Sequence, residues 1–418
     1  MTSSGNGVLS RAWGAAKHPL GVVFSTLLLD KLGENIIFPL LPFILAAYSP
    51  DGLTLGLLAA TATLFAAVAN PVVGAISDQI GRRPTVILCV LINTAGLALF
   101  GFAGSLGLIF VARAIGGIGS GTQSTAQAYI VDISTPATRA RNFGISGAAF
   151  GLGAIIGPAL GGLFAGWSPS FPVRLAAALS LLNLVQAMAF LPESLPMDQR
   201  QPLSWQRLNS AHQVLRLFRL PDVNVVTIAF VLFNMAFSGF TSLLVLFLKQ
   251  RLGWSAAEAG GIFVVVGITV TAVQVGLIGP LVKRHGEKRL SRSGLFWMAA
   301  GILLVGCSVL LPAPLVASSV VLASIALAIG AALVIPNTRS LVAGLVPTSD
   351  QGVTLGSLSS VTALASSAGP ILAGLIYDKS NLGCFVSQAV LCLAAAWVIS
   401  ALRWPRHPVG EPEGAAAP

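Results

Sequence analysis

Gly74-Ala-Ile-Ser-Asp78-Gln-Ile-Gly81-Arg82-Arg83-Pro84 is a short charged run between two long apolar ones. Residues 54–77 lead into it, sharing Gly74–Ser77, and residues 85–104 follow it, and each stretch is close to the ~20 apolar residues that a helix needs to cross hydrocarbon. An acid and two arginines confined to the hinge between two such stretches are the pattern of a membrane hairpin. Its polar turn lies at the lipid–water boundary.

Outward from that hinge the same alternation continues almost end to end. The chain has 418 residues, of which 55% are hydrophobic and 9% charged, with a mean hydropathy of +0.85. So few charges cannot cover the surface of a water-soluble protein of this length. Punctuation by charges, Pro and Gly predicts spans 1–6 at 19–48, 54–77, 85–104, 106–128, 142–166 and 172–191. Spans 7–12 follow at 223–248, 258–282, 291–311, 314–338, 353–377 and 382–402. All must be helical, because an unpaired backbone group in lipid costs several kcal/mol. The first span follows Arg11 and Lys17 and is too long for a signal-peptide core, so it counts as a span.

The net charge of +10 is spread over the loops between spans, which argues against nucleic acid as a partner. With the N-terminus in the cytoplasm, the inner loops carry Arg11, Lys17, Arg82, Arg83, Arg139, Arg141 and most of the later basic residues. The outer side keeps Lys249, Arg251, Lys379 and Arg174. The positive-inside rule then places both termini in the cytoplasm of an inner-membrane protein. Cys89, Cys307, Cys384 and Cys392 lie in apolar stretches without metal-binding spacing, and neither a metal nor a cofactor is expected.

Five segments follow: an N-terminal segment 1–18, a six-helix bundle 19–192, a linker 193–221, a second bundle 222–402 and a disordered tail 403–418. In the linker, Trp205, Leu208, Leu215 and Phe218 with their arginines form either a helix on the inner leaflet or a solvated connection. Internal repetition supports the division. Gly74-x6-Gly81 recurs as Gly279-x6-Gly286, and Gly157-Pro158-x3-Gly162 recurs as Gly369-Pro370-x3-Gly374. The fold class is therefore an all-α membrane protein of twelve helices in two pseudo-symmetric bundles, able to expose a central site alternately to either side.

In the hinge itself, Gly74 and Gly81 permit close approach and a tight turn, and Asp78 and Arg82 stand at the i,i+4 spacing of a helical ion pair. This run resembles the signature between the second and third helices of the major facilitator superfamily. Arg113-x3-Gly117-x-Gly119-x-Gly121 in span 4 resembles its arginine motif. Gly147-x3-Gly151-x5-Gly157-Pro158-x2-Gly161-Gly162 in span 5 resembles the motif of its antiporters. Leu28-Leu29-Asp30-x2-Gly33-x5-Pro39-x2-Pro42, together with Ala140-Arg141-x-Phe143-Gly144, is similar to drug–proton antiporters of the tetracycline-efflux type. The resemblance implies the major facilitator fold. It also implies a switch in which Gly157, Pro158, Gly161 and Gly162 shape the interface of the halves. Asp132 would join Asp78 and Arg82 in a cytoplasmic charge cluster, although a solvated helix end explains it equally. Lys283 stands in the second copy of the hinge where Asp78 stands in the first.

Charges within the spans carry the chemistry, since each costs about 3 kcal/mol or more at mid-bilayer and persists for a function. Span 1 holds Asp30, Lys31 and Glu34, and span 4 holds Arg113. At about 1.5 Å per residue, Glu34 and Arg113 fall at nearly one depth with Asp30 a turn deeper. Asp30 and Glu34 share a helical face and are expected to form the proton site, with Arg113 and Lys31 as charge partners or substrate contacts. A static Lys31–Asp30 or Arg113–Glu34 pair is the plainer alternative. Ser120, Ser124 and Gln127 share the Arg113 face of span 4 as a polar cavity wall. Phe230, Phe233, Asn234 and Phe237 share one face of span 7, as an aromatic site or as lipid-facing residues, and Gln274 adds a candidate from span 8.

No nucleophile–base constellation suggests an enzyme. The expected function is proton-coupled export of drug-like amphipathic molecules by antiport, driven by the proton gradient. Lipid or lysolipid translocation and proton-coupled import remain as alternatives. Tetracycline exporters carry further acids in spans 3 and 9; this chain has none there, so another amphipathic compound is expected. The partners are a small-molecule substrate, protons and the bilayer. One chain encloses a whole pathway, which predicts a monomer.

Overall fold

The computed structural model describes residues 19–48, 51–168, 170–200, 217–347 and 351–402. The segment 1–18, the anticipated linker helix at Trp205, Leu208 and Leu215, the tail from 403 onward, and the side chains of Arg139, Ala140 and Arg141 lie outside the described residues.

Every regular element among the described residues is helical. Among the described residues ten helices are long and apolar enough to cross a bilayer, from Gly52–Ile80 (span 2) to Asn381–Ser400 (span 12). The other two spans fall short for reasons visible in their residues. Span 1 is Pro19–Ile37, with Asp30, Lys31 and Glu34 inside it. It does not continue as one α-helix to residue 48: tighter turns follow from Phe38, because Pro39 and Pro42 lack the N–H that an α-helical ladder requires. Span 4 is broken at Ser120–Gly121 into Leu106–Gly119 and Thr122–Asp132. Large apolar side chains stand exposed along the helices, as Leu181, Leu182, Val185 and Met188 do on span 6, which suits lipid as the surrounding solvent.

The hinge between spans 2 and 3 is tighter than its sequence suggested. Span 2 runs on to Ile80 and span 3 begins at Arg82, so Gly81 is the whole connection and Asp78 lies inside a helix. Gly81 makes the reversal at φ +109°, a conformation that strains any residue with a Cβ. Gly286 holds the corresponding position between spans 8 and 9 at φ +75°.

The chain divides into two compact units. The first comprises 1–50, 61–208 and 248–264. Its core joins Val22, Val23 and Leu27 of span 1 to Val86 and Val90 of span 3, Tyr129 and Ile130 of span 4 and Leu184 of span 6. Span 5 lies against span 1 so closely that a methyl group at Gly157 would come within 2.6 Å of Asn35 Cβ.

The second unit comprises 51–60, 209–247 and 265–418. Span 11 packs on span 7 by the repeat counterpart of that contact, for a methyl group at Gly369 would lie 2.2 Å from the Met235 carbonyl oxygen. Phe240, Phe247 and Tyr377 surround the buried ring of Phe385. The start of span 2 belongs to this unit. Asp378, just past span 11, accepts hydrogen bonds from the N–H groups of Gly52 (2.6 Å) and Leu53 (3.0 Å). Asp51 adds a cap of its own, and the Thr54 hydroxyl and N–H hold its carboxyl below the usual range.

Candidate functional site

The charges of span 1 separate into one partly exposed pair and one buried acid. Lys31 Nζ lies 2.5 Å from Glu34 Oε2, with the Glu34 side chain 59% exposed and Lys31 15%. Adjacent residues on a helix point about 100° apart whereas i,i+3 residues are neighbours on one face, so Lys31 reaches Glu34 rather than Asp30. Lys31 also stands over the Phe150 ring of span 5 at 5.3 Å. A charged pair exposed in the middle of a membrane helix has to face water, since placing it in hydrocarbon costs several kcal/mol.

Asp30 points the other way and is 5% exposed. Its polar partner is Asn93 of span 3, whose Nδ2 donates to Oδ1 at 3.1 Å. No cation lies within ion-pair distance of Asp30 among the described residues. Arg113, on the first piece of span 4, Leu106–Gly119, is half-buried and within electrostatic range of Glu34. Its sheltered Nε has no hydrogen-bond partner among the described residues. Span 5 holds this part of span 1 in place through small residues. Methyl groups at Gly153 and Gly161 would meet Lys31 Cβ at 2.7 Å and the Ile36 carbonyl oxygen at 2.3 Å. On its other face, Pro158 and Gly162 receive the start of span 8 at Gly260 and Ala256.

A second cluster lies in the same unit where span 2 meets span 3 and span 4 ends. Arg82 bonds Asp78 at 2.6 Å, Asp132 at 2.9 Å and the Ser77 hydroxyl at 2.8 Å, so one guanidinium ties spans 2, 3 and 4 together. Ser194 donates to Asp132 as well. Glu193, immediately after span 6, accepts from the backbone N–H groups of Arg82, Ser194 and Leu195 at 2.9–3.0 Å, and Arg200 stands 3.7 Å from it. A cleft of about 520 Å³ opens beside the cluster, lined by Asp78, Arg82, Leu195, Asp198, Gln199 and Arg200. Gly74 has open space around it, so close packing does not account for that glycine.

The remaining candidates disperse. Ser120 and Ser124 bond back to the carbonyls of Gly117 and Gly121 at the break in span 4, Ser120 also reaching Asn70 of span 2, and Gln127 is half-buried. Phe230, Phe233 and Phe237 stack in series with ring centroids 5.6 and 5.8 Å apart. Phe230 and Phe233 are buried, so the series belongs to the packing of the second unit, and Asn234 bonds the Phe230 carbonyl. Gln274 is exposed on a π-turn, Val273–Leu277. Among the described residues no group of His, Cys, Asp and Glu could hold a metal ion.

Sequence reasoning passed over Asn93 and Glu193. Asn93 left a signal, as the one amide in span 3, Arg82–Gly101. Glu193 left little, because an acid just beyond a span reads as an ordinary solvated end.

The family profile described as Major Facilitator Superfamily matches residues 23–296 and 275–418. The tetracycline resistance protein, class C, of Escherichia coli is 30% identical over 87% of this chain and 91% of its own length. Multidrug resistance protein 2 of Bacillus subtilis (strain 168) is 28% identical over 85% of this chain and 88% of its own. The crystal structure of the human organic anion transporter MFSD10 (TETRAN) superposes with a TM-score of 0.69 at 26% identity. The match covers 91% of this chain and 98% of that one.

Proposed function

This chain belongs to the major facilitator superfamily and is a multi-pass membrane transporter of small molecules, not an enzyme; from that premise we propose that it exports amphipathic compounds in exchange for protons. The observation that carries the reading is the arrangement on span 1. A buried acid with no ion-pair partner among the described residues, Asp30, precedes the Lys31–Glu34 pair, whose Glu34 carboxylate is exposed one turn further along the helix. Asp30 takes and releases the proton, for a carboxyl group sheltered from water and outside any ion pair can be neutral without leaving a partner's charge uncompensated. Glu34 meets the polar or cationic part of the substrate. Substrate and proton then compete for one short stretch of helix, which is the requirement for exchange, and alternating access carries each across in turn.

The names of the tetracycline and multidrug resistance relatives support export. The positive-inside count supports an inner-membrane placement with both termini cytoplasmic. Arg113, with no acceptor on its sheltered Nε, favours a second reading in which the substrate also carries an anionic group, in line with the similarity to the human organic anion transporter.

The test is proton release from purified protein on adding lipophilic cations, neutral drugs, organic anions or lysolipids, in wild type, Asp30→Asn and Glu34→Gln. Release that disappears in Asp30→Asn is the expected result. Full proton-coupled transport in both variants would overturn the assignment, and release triggered by anions alone would move it to the second reading.

A further inference from the structure

Asn93 joins the buried acid of span 1 to the break in span 4. Its Nδ2 donates to Asp30 Oδ1 at 3.1 Å. Its backbone lies directly under span 4: a methyl group at Gly119 would sit 2.6 Å from Asn93 N and 2.9 Å from its Cα, and one at Gly116 3.8 Å from its Oδ1. One turn further along span 3, a methyl group at Gly96 would meet Gly116 N at 2.8 Å. Spans 3 and 4 therefore touch backbone to backbone over Asn93–Gly96 and Gly116–Gly119, with no side chain between them to absorb a displacement. Arg113 is on that same helical piece, Leu106–Gly119, which ends at the Ser120–Gly121 break.

The chemistry of the amide suits this position. A carboxylate only accepts hydrogen bonds, whereas a carboxylic acid also donates one, and a primary amide can answer either by presenting its NH2 or its carbonyl. A lysine or arginine at 93 would hold Asp30 ionised, and an apolar residue would leave both forms without a partner. The other groups with charge or titratable protons around Asp30 are Lys31 and Glu34 on its own helix, Cys89 one turn before Asn93, and Arg113, whose field acts on Glu34.

We propose that Asn93 is a positioning residue that reports the protonation of Asp30 to span 4, turning its amide when the proton arrives and shifting Gly116–Gly119 and Arg113 with it. The statement rests on Asp30 as the proton carrier. The only covalent change is one O–H bond: it forms on an Asp30 oxygen with a proton taken from water and breaks when the proton returns to water, and the hydrogen bond to Asn93 reverses its sense.

The experiment needs no identified substrate. Infrared difference spectra of purified protein, recorded over a pH series, report the protonated carboxyl C=O stretch, and the band lost in Asp30→Asn belongs to Asp30. A fluorescent label on Val111→Cys, an exposed position of span 4, reports movement in a Cys307→Ser background. In wild type both signals are expected to follow one pH midpoint. In Asn93→Leu the stretch should rise in frequency, the midpoint should move by about one pH unit, and the label should stop following it. Asn93→Ala repeats this arm if the leucine variant does not fold, and Asn93→Ser, with a hydroxyl that donates and accepts, should restore part of the coupling. Thr94→Val, next to Asn93 on span 3, removes a part-buried hydrogen bond to Ser180 of span 6 and should behave as wild type. An Asp30 band, midpoint and label response unchanged in Asn93→Leu would overturn this proposal alone. A band that persists in Asp30→Asn would overturn both it and the assignment of the proton.

Discussion

Alanine substitutions along span 5 provide a quantitative test, because glycines of one sequence motif face opposite surroundings. Methyl groups at Gly147 and Gly151 would meet nothing within 4 Å, while those at Gly157 and Gly161 would come within 2.6 Å of Asn35 Cβ and 2.3 Å of the Ile36 carbonyl oxygen. Ordinary van der Waals contact begins near 3.4 Å. The backbone of span 1 would have to retreat by roughly 1 Å at each of the latter sites, and overpacking of that kind costs about 1–3 kcal/mol. The two open positions feel only the change in backbone freedom, which favours alanine in a helix by about 0.5–1 kcal/mol. That gain is common to both sites and cancels, so Gly161→Ala should be about 1–3 kcal/mol less stable than Gly151→Ala. It should also transport poorly, since the displaced segment carries Lys31 and Glu34. Unfolding in one detergent and efflux from whole cells measure the two effects. Equal stability and equal efflux for Gly161→Ala and Gly151→Ala would refute the packing of span 5 on span 1.

Other expectations concern the two ends of the helices. Gly81→Ala should destabilise by about 1–3 kcal/mol in thermal melts, because φ +109° is strained and Glu193 Oε2 lies 2.4 Å from the new methyl group. Gly286→Ala, at φ +75° with open space around it, should cost less. Glu193→Ala removes the acceptor for four backbone N–H groups, that of Arg83 at 3.5 Å included, and should make cleavage by trypsin after Arg200 faster, whereas Glu193→Gln, which keeps an oxygen, should change it little. Asp378→Ala should weaken the start of span 2 by about 1 kcal/mol, visible as several-fold faster hydrogen exchange at Gly52 and Leu53.

Much of the fold was legible because lipid imposes a single local rule: apolar runs of sufficient length must be helices. The ends of those runs were less legible. Nothing polar announced that span 2 would continue to Ile80, because only the positive φ of Gly81 stops it. Pro39 and Pro42 could have been taken as the end of the first α-helix, since their missing N–H groups are a local property. In the site, Asp30, Lys31, Glu34 and Arg113 were identified as intramembrane charges, and the grouping of Asp78, Arg82 and Asp132 was expected from the resemblance. Which charge meets which was not legible, for helical spacing permits several pairs on one face.

By itself the sequence determined that this chain lives in a membrane, that it crosses as repeated helical spans, and that its costly charges sit in spans 1 and 4. Those features follow from hydropathy and helical period, which act over a few residues. Only the tertiary structure decided that Lys31 closes on Glu34, that Asn93 attends Asp30, and that Gly157 and Gly161 but not Gly147 and Gly151 touch span 1. The physical reason is that burial and hydrogen bonding depend on which neighbouring helix lies opposite. That choice is made by packing among residues as far apart in the chain as Asp30 and Asn93.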